Sequence, residues 1–544
     1  MNASHVQVLL PLKLGWIPLY RSSRPLDRGR IVEVAFSGRR YSGVVWKTGC
    51  TPDIPEKRIV DIIRTREDLP IIGEQELRLW KFISSYYLCT PGEVFKAAYP
   101  SLRIQGENAC AARAARLRDK VSRLEAQLQG RHCERVEQRL RKELEGVRAE
   151  LSGIEGRPSS SPSGKASAGE TLTREIPAAE IPAGKAPAPK PLLVKGSGRL
   201  ARYRELIAEA LGRDMQVLVL APEISFCERT ADSLEESFGH CLYRVNADRS
   251  PSQRQRVSQL LRSGAKAVVV GTRSAVFLPF SKLGLVIIDE EQDSSYKQDE
   301  PAPRYNARDT GIYLASLHGA AAVLGSAFPS LESELNCRSG KYLVERTGHS
   351  PAAAAYIDII AERRKNGMQG PVSRKLAAEI RSAGCKALLI RGWEDKAALE
   401  TQVRGLFPGQ EVIICSLPEL KREGPRGAGL IAVLQIEAFC QGDDFRGDEK
   451  AMQLAAMLGS LAPRVIIQTS TISRFVPGRS ADALLEERRE FSYPPYTRLV
   501  EVRRYGDRSV QQRFFLPKDA AQTERKLEIA ASVPEDCYAD VDPL

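Results

Sequence analysis

In this 544-residue chain the segment Val286–Asp293, VIIDEEQD, is the clearest place to look for chemistry. An apolar strand ending in Asp-Glu-Glu delivers carboxylates to the carboxyl edge of a parallel sheet, the edge where such folds bind ligands. In an ATPase built this way, Asp289 holds Mg²⁺ through water and Glu290 polarises the attacking water. The same residues also suit a solvated acidic loop after a buried strand. The choice therefore depends on whether a phosphate site precedes them.

The candidate phosphate site is Leu192–Tyr203, LLVKGSGRLARY, which reads as a strand, a Gly-rich turn and a helix. A working P-loop has the pattern G-x-x-x-x-G-K-[ST]: its amides cradle phosphates, its Lys neutralises them and its hydroxyl ligates Mg²⁺. Here Gly196, Ser197 and Gly198 remain, but Arg199 stands at the Lys position and Leu200 at the Ser/Thr position. Leucine cannot ligate Mg²⁺, and a planar guanidinium is no conservative replacement for a lysine in a tight loop. The turn reads as a remnant of a nucleotide cradle.

Composition bounds the rest of the reading. Apolar residues make up 42% and charged residues 27%, which is ordinary globular material, and the length suits roughly three or four domains. Lys and Arg outnumber Asp and Glu by 80 to 68, a net charge of +12 that suits a polyanionic partner. No apolar stretch reaches the ~18–20 residues of a membrane span, and the N-terminus reads as a strand start without a basic leader. The expectation is a cytoplasmic, nucleoid-associated protein with no membrane partner. Eleven scattered cysteines contain no C-x-x-C pair, so neither a disulfide frame nor a structural zinc site is expected, and no residue is assigned to a metal.

The elements that must position these residues follow in order. Residues 1–103 read as a small β-rich domain with one helix whose face carries Leu77, Trp80, Ile83 and Tyr87. Residues 104–155 carry heptad-like spacing (Leu117, Val121, Leu124, Leu128; Leu140, Leu144, Val147, Leu151) and read as a coiled-coil arm. Residues 156–190, rich in Pro, Ser, Ala and Gly, read as a flexible linker. Residues 191–345 and 346–480 alternate apolar strands with helices, which predicts two α/β lobes with parallel sheets, and residues 481–544 form a small C-terminal domain.

The longer motifs carry a family resemblance. VLVLAPEI (Val217–Ile224), VVVGTRSAVFLPF (Val268–Phe280), Leu283–Asp309 and VLGSAFPSLES (Val323–Ser333) resemble successive motifs of the primosomal replication-restart helicases, the PriA family. YIDIIAERR (Tyr356–Arg364), EERREFSYPPYTRLVEV (Glu486–Val502) and the terminal ADVDPL follow in the same order. The stretches VQVLLPL, RGRIVEVAFSGRRYSGVV and SSYYLCTPGEVFKAAYP are similar to its N-terminal DNA-end-binding domain. The resemblance implies two RecA-like helicase lobes fused to a module for the 3′ end at a stalled fork. It also implies ATP and Mg²⁺ as cofactors, branched and single-stranded DNA as ligands, and primosome or single-strand-binding proteins as partners.

The departures from the family pattern are specific. The family's P-loop Lys and Thr are Arg199 and Leu200, its DEEH has Gln292 for His, and its GSATPS has Phe328 for Thr. Its arginine-finger motif matches Met457–Arg464, where Leu461 replaces the first Arg and only Arg464 remains. The paired cysteines of its zinc module are missing. By the same resemblance Gly38 and Lys57 line the 3′-end pocket; Arg39 and Arg40, which flank Gly38, suit either backbone phosphates or a solvated turn. Arg273, Tyr296, Lys297 and Arg304 are candidate DNA contacts around the motor, with lobe packing as the alternative for the aromatic and basic loop. The leading expectation is a fork-binding restart protein with weak or lost ATPase. The alternatives are an active 3′ to 5′ helicase with an unusual P-loop, and a protein adaptor acting through the coil.

Overall fold

The structure, a computed structural model, describes residues 4–52, 55–100, 189–440, 445–475 and 480–543. The expected coiled-coil arm lies outside the described residues, as does the expected linker up to residue 188. The chain divides into two compact units: residues 1–74 with 90–177, and residues 75–89 with 178–544.

In the first unit, alternating apolar residues build a six-stranded sheet. Its strands are β1 (Ser4–Leu9), β2 (Leu19–Ser22), β3 (Ile31–Phe36), β4 (Arg39–Thr48), β5 (Val60–Asp61) and β6 (Arg64–Thr65), in the order β5-β2-β1-β4-β3-β6. The two outer strands are joined only by Ile62 and Ile63, whose amides donate to Arg21 O and Glu33 O, so the sheet curls towards a closed barrel. Val6, Val8, Leu10, Tyr20, Val32, Val34 and Val45 fill its interior. Ser37 and Gly38 join β3 to β4 with φ of +47° and +73°, the left-handed pair a tight two-residue hairpin requires.

The second unit begins with part of a helix expected to belong to the first. Leu77, Trp80, Ile83 and Tyr87 of helix Glu74–Tyr86 and its end are buried, as the periodicity predicts. A second face is also engaged: Phe82 stacks on Tyr313 at 3.9 Å, and Tyr86 donates to Asp542 at 3.3 Å. These aromatic contacts accompany the packing of residues 75–89 with the second unit. The chain then returns to the first unit through helix Pro91–Ala98, capped by Thr90 and Glu93.

Lobe 1 is a parallel sheet of seven strands, β7 (Leu192–Lys195), β8 (Gln216–Leu220), β9 (Leu242–Val245), β10 (Val268–Gly271), β11 (Leu283–Asp289), β12 (Ala321–Ser326) and β13 (Leu343–Arg346). Their order is β13-β7-β12-β11-β8-β10-β9. Lobe 2 contains β14 (Ala354–Asp358), a small hairpin of β15 (Met368–Gln369) and β16 (Val372–Ser373), then β17 (Ala387–Ile390), β18 (Val412–Cys415), β19 (Leu430–Val433) and β20 (Arg464–Thr469). Its parallel sheet runs β14-β20-β19-β17-β18. Runs such as VLVL, VVV and LIAV are almost wholly buried because helices cover both faces. The C-terminal domain is an antiparallel sheet, β22-β21-β23, of β21 (Thr497–Arg504), β22 (Val510–Pro517) and β23 (Cys537–Val541). No described helix is long and apolar enough to cross a membrane.

Candidate nucleotide and DNA sites

Strands β7, β12 and β11 are neighbours, so their carboxyl ends bring the Gly196–Gly198 turn, Ser326 and Asp289 together. Glu290 follows at φ +49°, a left-handed position that costs a non-glycine residue free energy and recurs at functional sites. Arg199 opens helix Arg199–Gly212 and reaches directly into this edge. Its Nε donates to Asp289 Oδ1 at 3.3 Å, its Nη2 to Glu290 Oε1, and its Nη1 to the Gly196 carbonyl at 2.9 Å. One turn on, the buried Tyr203 phenol donates to Asp289 Oδ1 at 2.8 Å. Gly325 leaves it room, since a Cβ there would lie 1.6 Å from the phenol oxygen. Gln292 donates to Glu290 Oε2 at 2.8 Å and accepts from Ser326 Oγ at 2.6 Å. Burial works against the Arg199 charge, but Asp289 and Glu290 outweigh it and hold its pKa above the ordinary arginine value. Burial drives the Tyr203 phenol well up, and Asp289 adds to the rise.

The phosphate cradle is likewise occupied by the protein itself. The amides of Gly196, Ser197 and Gly198 donate to the carbonyls of Ser326, His349 and Thr347 at 3.3, 3.4 and 3.3 Å. Ser197 Oγ accepts from the His349 amide at 3.0 Å. The glycines serve this strap: a Cβ on Gly196 would lie 2.1 Å from Thr347 O, and one on Gly348 would lie 2.6 Å from Gly198 N. Leu200 packs against the lobe 1 core, and Lys195 pairs with Glu334. The turn amides, the metal carboxylates and the cation are all taken, and the hydroxyl is absent. In this arrangement each of these groups bonds within the chain. Tyr203, Gly325 and the Thr347–His349 strap had no signal in motif spacing.

Arg464 does not join this edge. It opens β20 at the amino side of the lobe 2 sheet, and its guanidinium pairs with Glu379 at 3.0 Å. Helix Gly447–Leu461 runs almost directly into the strand, leaving no loop in which a finger arginine could project.

The four motor residues expected at DNA each make contacts within the chain. Arg273 donates to the carbonyls of Ser295 and Lys297 at 3.0 and 2.8 Å, bracing the loop after β11. Tyr296 is fully buried and donates to Leu220 O at 2.9 Å and Asp289 O at 2.5 Å. Lys297, also buried, pairs with Asp540 at 2.7 Å and donates to Val541 O at 2.6 Å. Arg304 lies 3.5 Å over the Tyr538 ring. Lys297 and Arg304 thus both meet β23 of the C-terminal domain. The loop is also tied to lobe 2, because Lys421 pairs with Asp293 at 2.8 Å.

The first unit shows the opposite pattern. Gly38, Arg39 and Arg40 form the exposed tip of the β3–β4 hairpin. Lys57, exposed in the short turn Glu56–Arg58, precedes β5, which runs parallel to β2 from the Tyr20 level. The pairing of β1 with β2 and β4 carries the β1–β2 loop to this same end of the sheet. That loop holds Trp16, which is 60% exposed and packs on Phe36 with ring centroids 6.1 Å apart. Its one signal in the sequence is an aromatic residue after Gly15 in a turn. Among the described residues no cluster of three or more His, Cys, Asp or Glu side chains is arranged to hold a metal ion.

Comparison with known proteins adds to this geometry. A 3'DNA-binding domain (3'BD) model of the PriA type matches residues 7–100, and a DEAD/DEAH box helicase model matches residues 193–325. Helicase domains of that kind typically bind nucleotide with Mg²⁺. The chain is 40% identical over 192 residues to replication restart protein PriA of Haemophilus influenzae, covering 34% of this chain and 26% of that protein. It is 30% identical over 330 residues to the PriA of Rickettsia felis, covering 60% and 42% respectively. The matched stretches thus span between a quarter and two-fifths of these relatives. Among solved structures, RecG bound to a three-way DNA junction aligns over 95% of this chain and 74% of its own, at 14% identity and a TM-score of 0.34, too distant to add to the assignment. The two domain matches, in that order on one chain, and the identity to these proteins make the chain similar to the PriA replication restart proteins over those stretches.

Proposed function

We propose that this chain is a replication-restart factor that binds branched and 3′-ended single-stranded DNA, acts with other primosome or single-strand-binding proteins, and does not turn over ATP. The observation that carries the reading is the ion pairing of Arg199 with Asp289 and Glu290. A carboxylate that must hold Mg²⁺ and one that must orient water are both committed to a guanidinium of the same chain. Positioning and electrostatics supply nearly all the rate of phosphoryl transfer, so a site committed in this way has nothing left with which to lower the barrier. DNA recognition falls to the first unit, whose exposed arginines and aromatic loop supply phosphate pairing and stacking.

The deciding experiment measures ATP hydrolysis and fork binding on the same preparation. Salt-sensitive fork binding with no DNA-stimulated hydrolysis supports the reading, and stimulated hydrolysis refutes its catalytic half. The reading also includes no structural zinc. Elemental analysis should find less than one zinc per chain, and a tightly bound stoichiometric ion would overturn that point.

A further inference from the structure

Lobe 2 carries a cluster of cations that the motor reading does not use. Arg363, Arg364 and Lys365 end helix Ile359–Lys365, and Arg374 and Lys375 begin helix Arg374–Ala383. All five are exposed. The β15–β16 hairpin folds the two groups together, so that a Cβ on Gly367 would lie 3.6 Å from Arg374 Nε. The nearby carboxylates are engaged elsewhere. Asp358 accepts from the amides of Ile360 and Ala361, Glu362 is buried and accepts from Asn366, and Glu379 pairs with Arg464. Other lobe 2 cations find partners, as in Arg474 with Asp448, Lys396 with Glu419 and Lys386 with Glu411.

Two further features separate this cluster from an ordinary solvated face. Arg374 and Lys375 occupy the first turn of their helix, where the positive end of the helix dipole repels cations. Fold stability therefore does not account for them. The mount is also rigid. Buried Gln468 accepts from the Ser373 amide at 2.9 Å and donates to Pro371 O at 2.8 Å and Leu434 O at 2.9 Å, tying the hairpin to the end of β20. Because Asp358 ends β14 and Thr469 ends β20, the cluster stands at the carboxyl edge of the lobe 2 sheet, the edge where parallel α/β folds take ligands.

We propose that Arg363, Arg364, Lys365, Arg374 and Lys375 form a second nucleic-acid phosphate grip on lobe 2, separate from the N-terminal hairpin. The inference rests on the reading that the chain binds DNA. It adds a binding surface on lobe 2, and it is independent of nucleotide.

The test uses the full chain and fluorescently labelled forked DNA, with affinity measured across a salt series. Changing all five residues to Ala should weaken binding at least tenfold at low salt. It should also flatten the dependence of log K on log salt by roughly two to four units, at about 0.7–0.9 for each phosphate that is no longer neutralised. The charge-preserving set Arg363→Lys, Arg364→Lys and Arg374→Lys should keep both affinity and slope. An unchanged five-Ala variant, in a chain whose Arg39/Arg40/Lys57 triple variant loses affinity, overturns the grip and leaves the DNA-binding reading standing. An equal loss in the charge-preserving set overturns it as a structural effect. Loss of salt-sensitive binding to polyglutamate with DNA binding intact assigns the surface to an acidic protein and overturns it. A wild-type chain that binds no DNA at any salt removes the underlying reading, and the grip with it.

Discussion

Two regions of this molecule set arginine beside a glycine turn, and they have opposite fates. At the carboxyl edge of lobe 1, Arg199 follows Gly196–Gly198, is only 14% exposed and spends three donors on Asp289, Glu290 and Gly196 O. At the hairpin tip of the first unit, Arg39 and Arg40 follow Gly38 and stand in solvent. The glycines differ in the same sense: Gly196 and Gly348 permit a close backbone strap, whereas a Cβ on Gly38 would meet open space. A charged group serves a ligand only if the fold has not already satisfied it. Replacing an internal ion pair by a ligand must repay the desolvation and bonding of both partners, while an exposed cation need only release water and counterions.

Several measurements would break or sharpen that contrast. The largest expected effect is on catalysis. Hydrolysis of ATP with saturating forked DNA should match a protein-free control, and Glu290→Gln should leave that background unchanged. A missing arginine finger alone typically removes ~10³–10⁵ in rate, before the missing Mg²⁺ hydroxyl is counted. Robust turnover abolished by Glu290→Gln would show that the lobe 1 edge opens to nucleotide after all.

Next in size is the lock itself. Arg199→Ala leaves Asp289 and Glu290 buried without their cation, and such changes destabilise by about 3–5 kcal/mol. Urea unfolding should show a lower midpoint, with Arg199→Lys recovering part of it. If Arg199→Ala matched wild type in stability, the ion pair would contribute nothing and the contrast would fail at its closed end. Its open end is tested by changing Arg39, Arg40 and Lys57 together to Ala. Fork binding should weaken roughly tenfold or more and its salt slope should drop by about two to three units, with the unfolding midpoint unmoved. A loss of stability instead of binding would make these residues structural.

The smallest effect concerns a cation between the two extremes. Lys526 is buried but bonds the Tyr86 carbonyl, 3.2 Å away, rather than a carboxylate. Burial, with the nearby Arg498 charge, pulls its pKa from 10.5 to about 8, while Asp542 acts in the opposite direction. Between those values the unfolded chain holds a proton that the folded chain has released, so stability rises with pH across that window. The advantage is lost as pH falls to about 8. The rise is at most about 1.4 kcal/mol per pH unit, and Lys526→Met should flatten it in a comparison of thermal midpoints from pH 8 to 10.5. Equal pH profiles for wild type and variant would remove Lys526 as the cause.

Much of the fold was legible before any coordinates. The apolar runs of β8, β10, β11 and β12, and later β17 to β20, announced two parallel sheets because buried strands must be hydrophobic on both faces. The Leu77–Trp80–Ile83–Tyr87 spacing gave the buried face of the first helix. Most of that helix nevertheless packs with the second unit, because Phe82 and Tyr86 meet rings and carboxylates far along the chain. For the aromatic and basic loop after β11, residue type leaves DNA contact and lobe packing both open. Tyr, Lys and Arg look the same in sequence whether they face a strand or anchor β23.

The sequence by itself determined the parallel α/β lobes, the hairpin turn at Ser37–Gly38 and the delivery of Asp289 and Glu290 to a sheet edge. These follow from hydrophobic period, turn chemistry and strand order, which act over short spans of chain. Replacement of the P-loop lysine and hydroxyl was equally plain in it. Only the tertiary structure decided that the replacing arginine would pair with the two carboxylates. Arg199 meets Asp289 and Glu290 across some ninety residues, and Gly196–Gly198 meets Thr347–His349 across about one hundred and fifty. Such contacts depend on which strands become neighbours and how deeply their ends are buried. Those two quantities decide whether a charge finds a partner within the chain or remains open to a ligand.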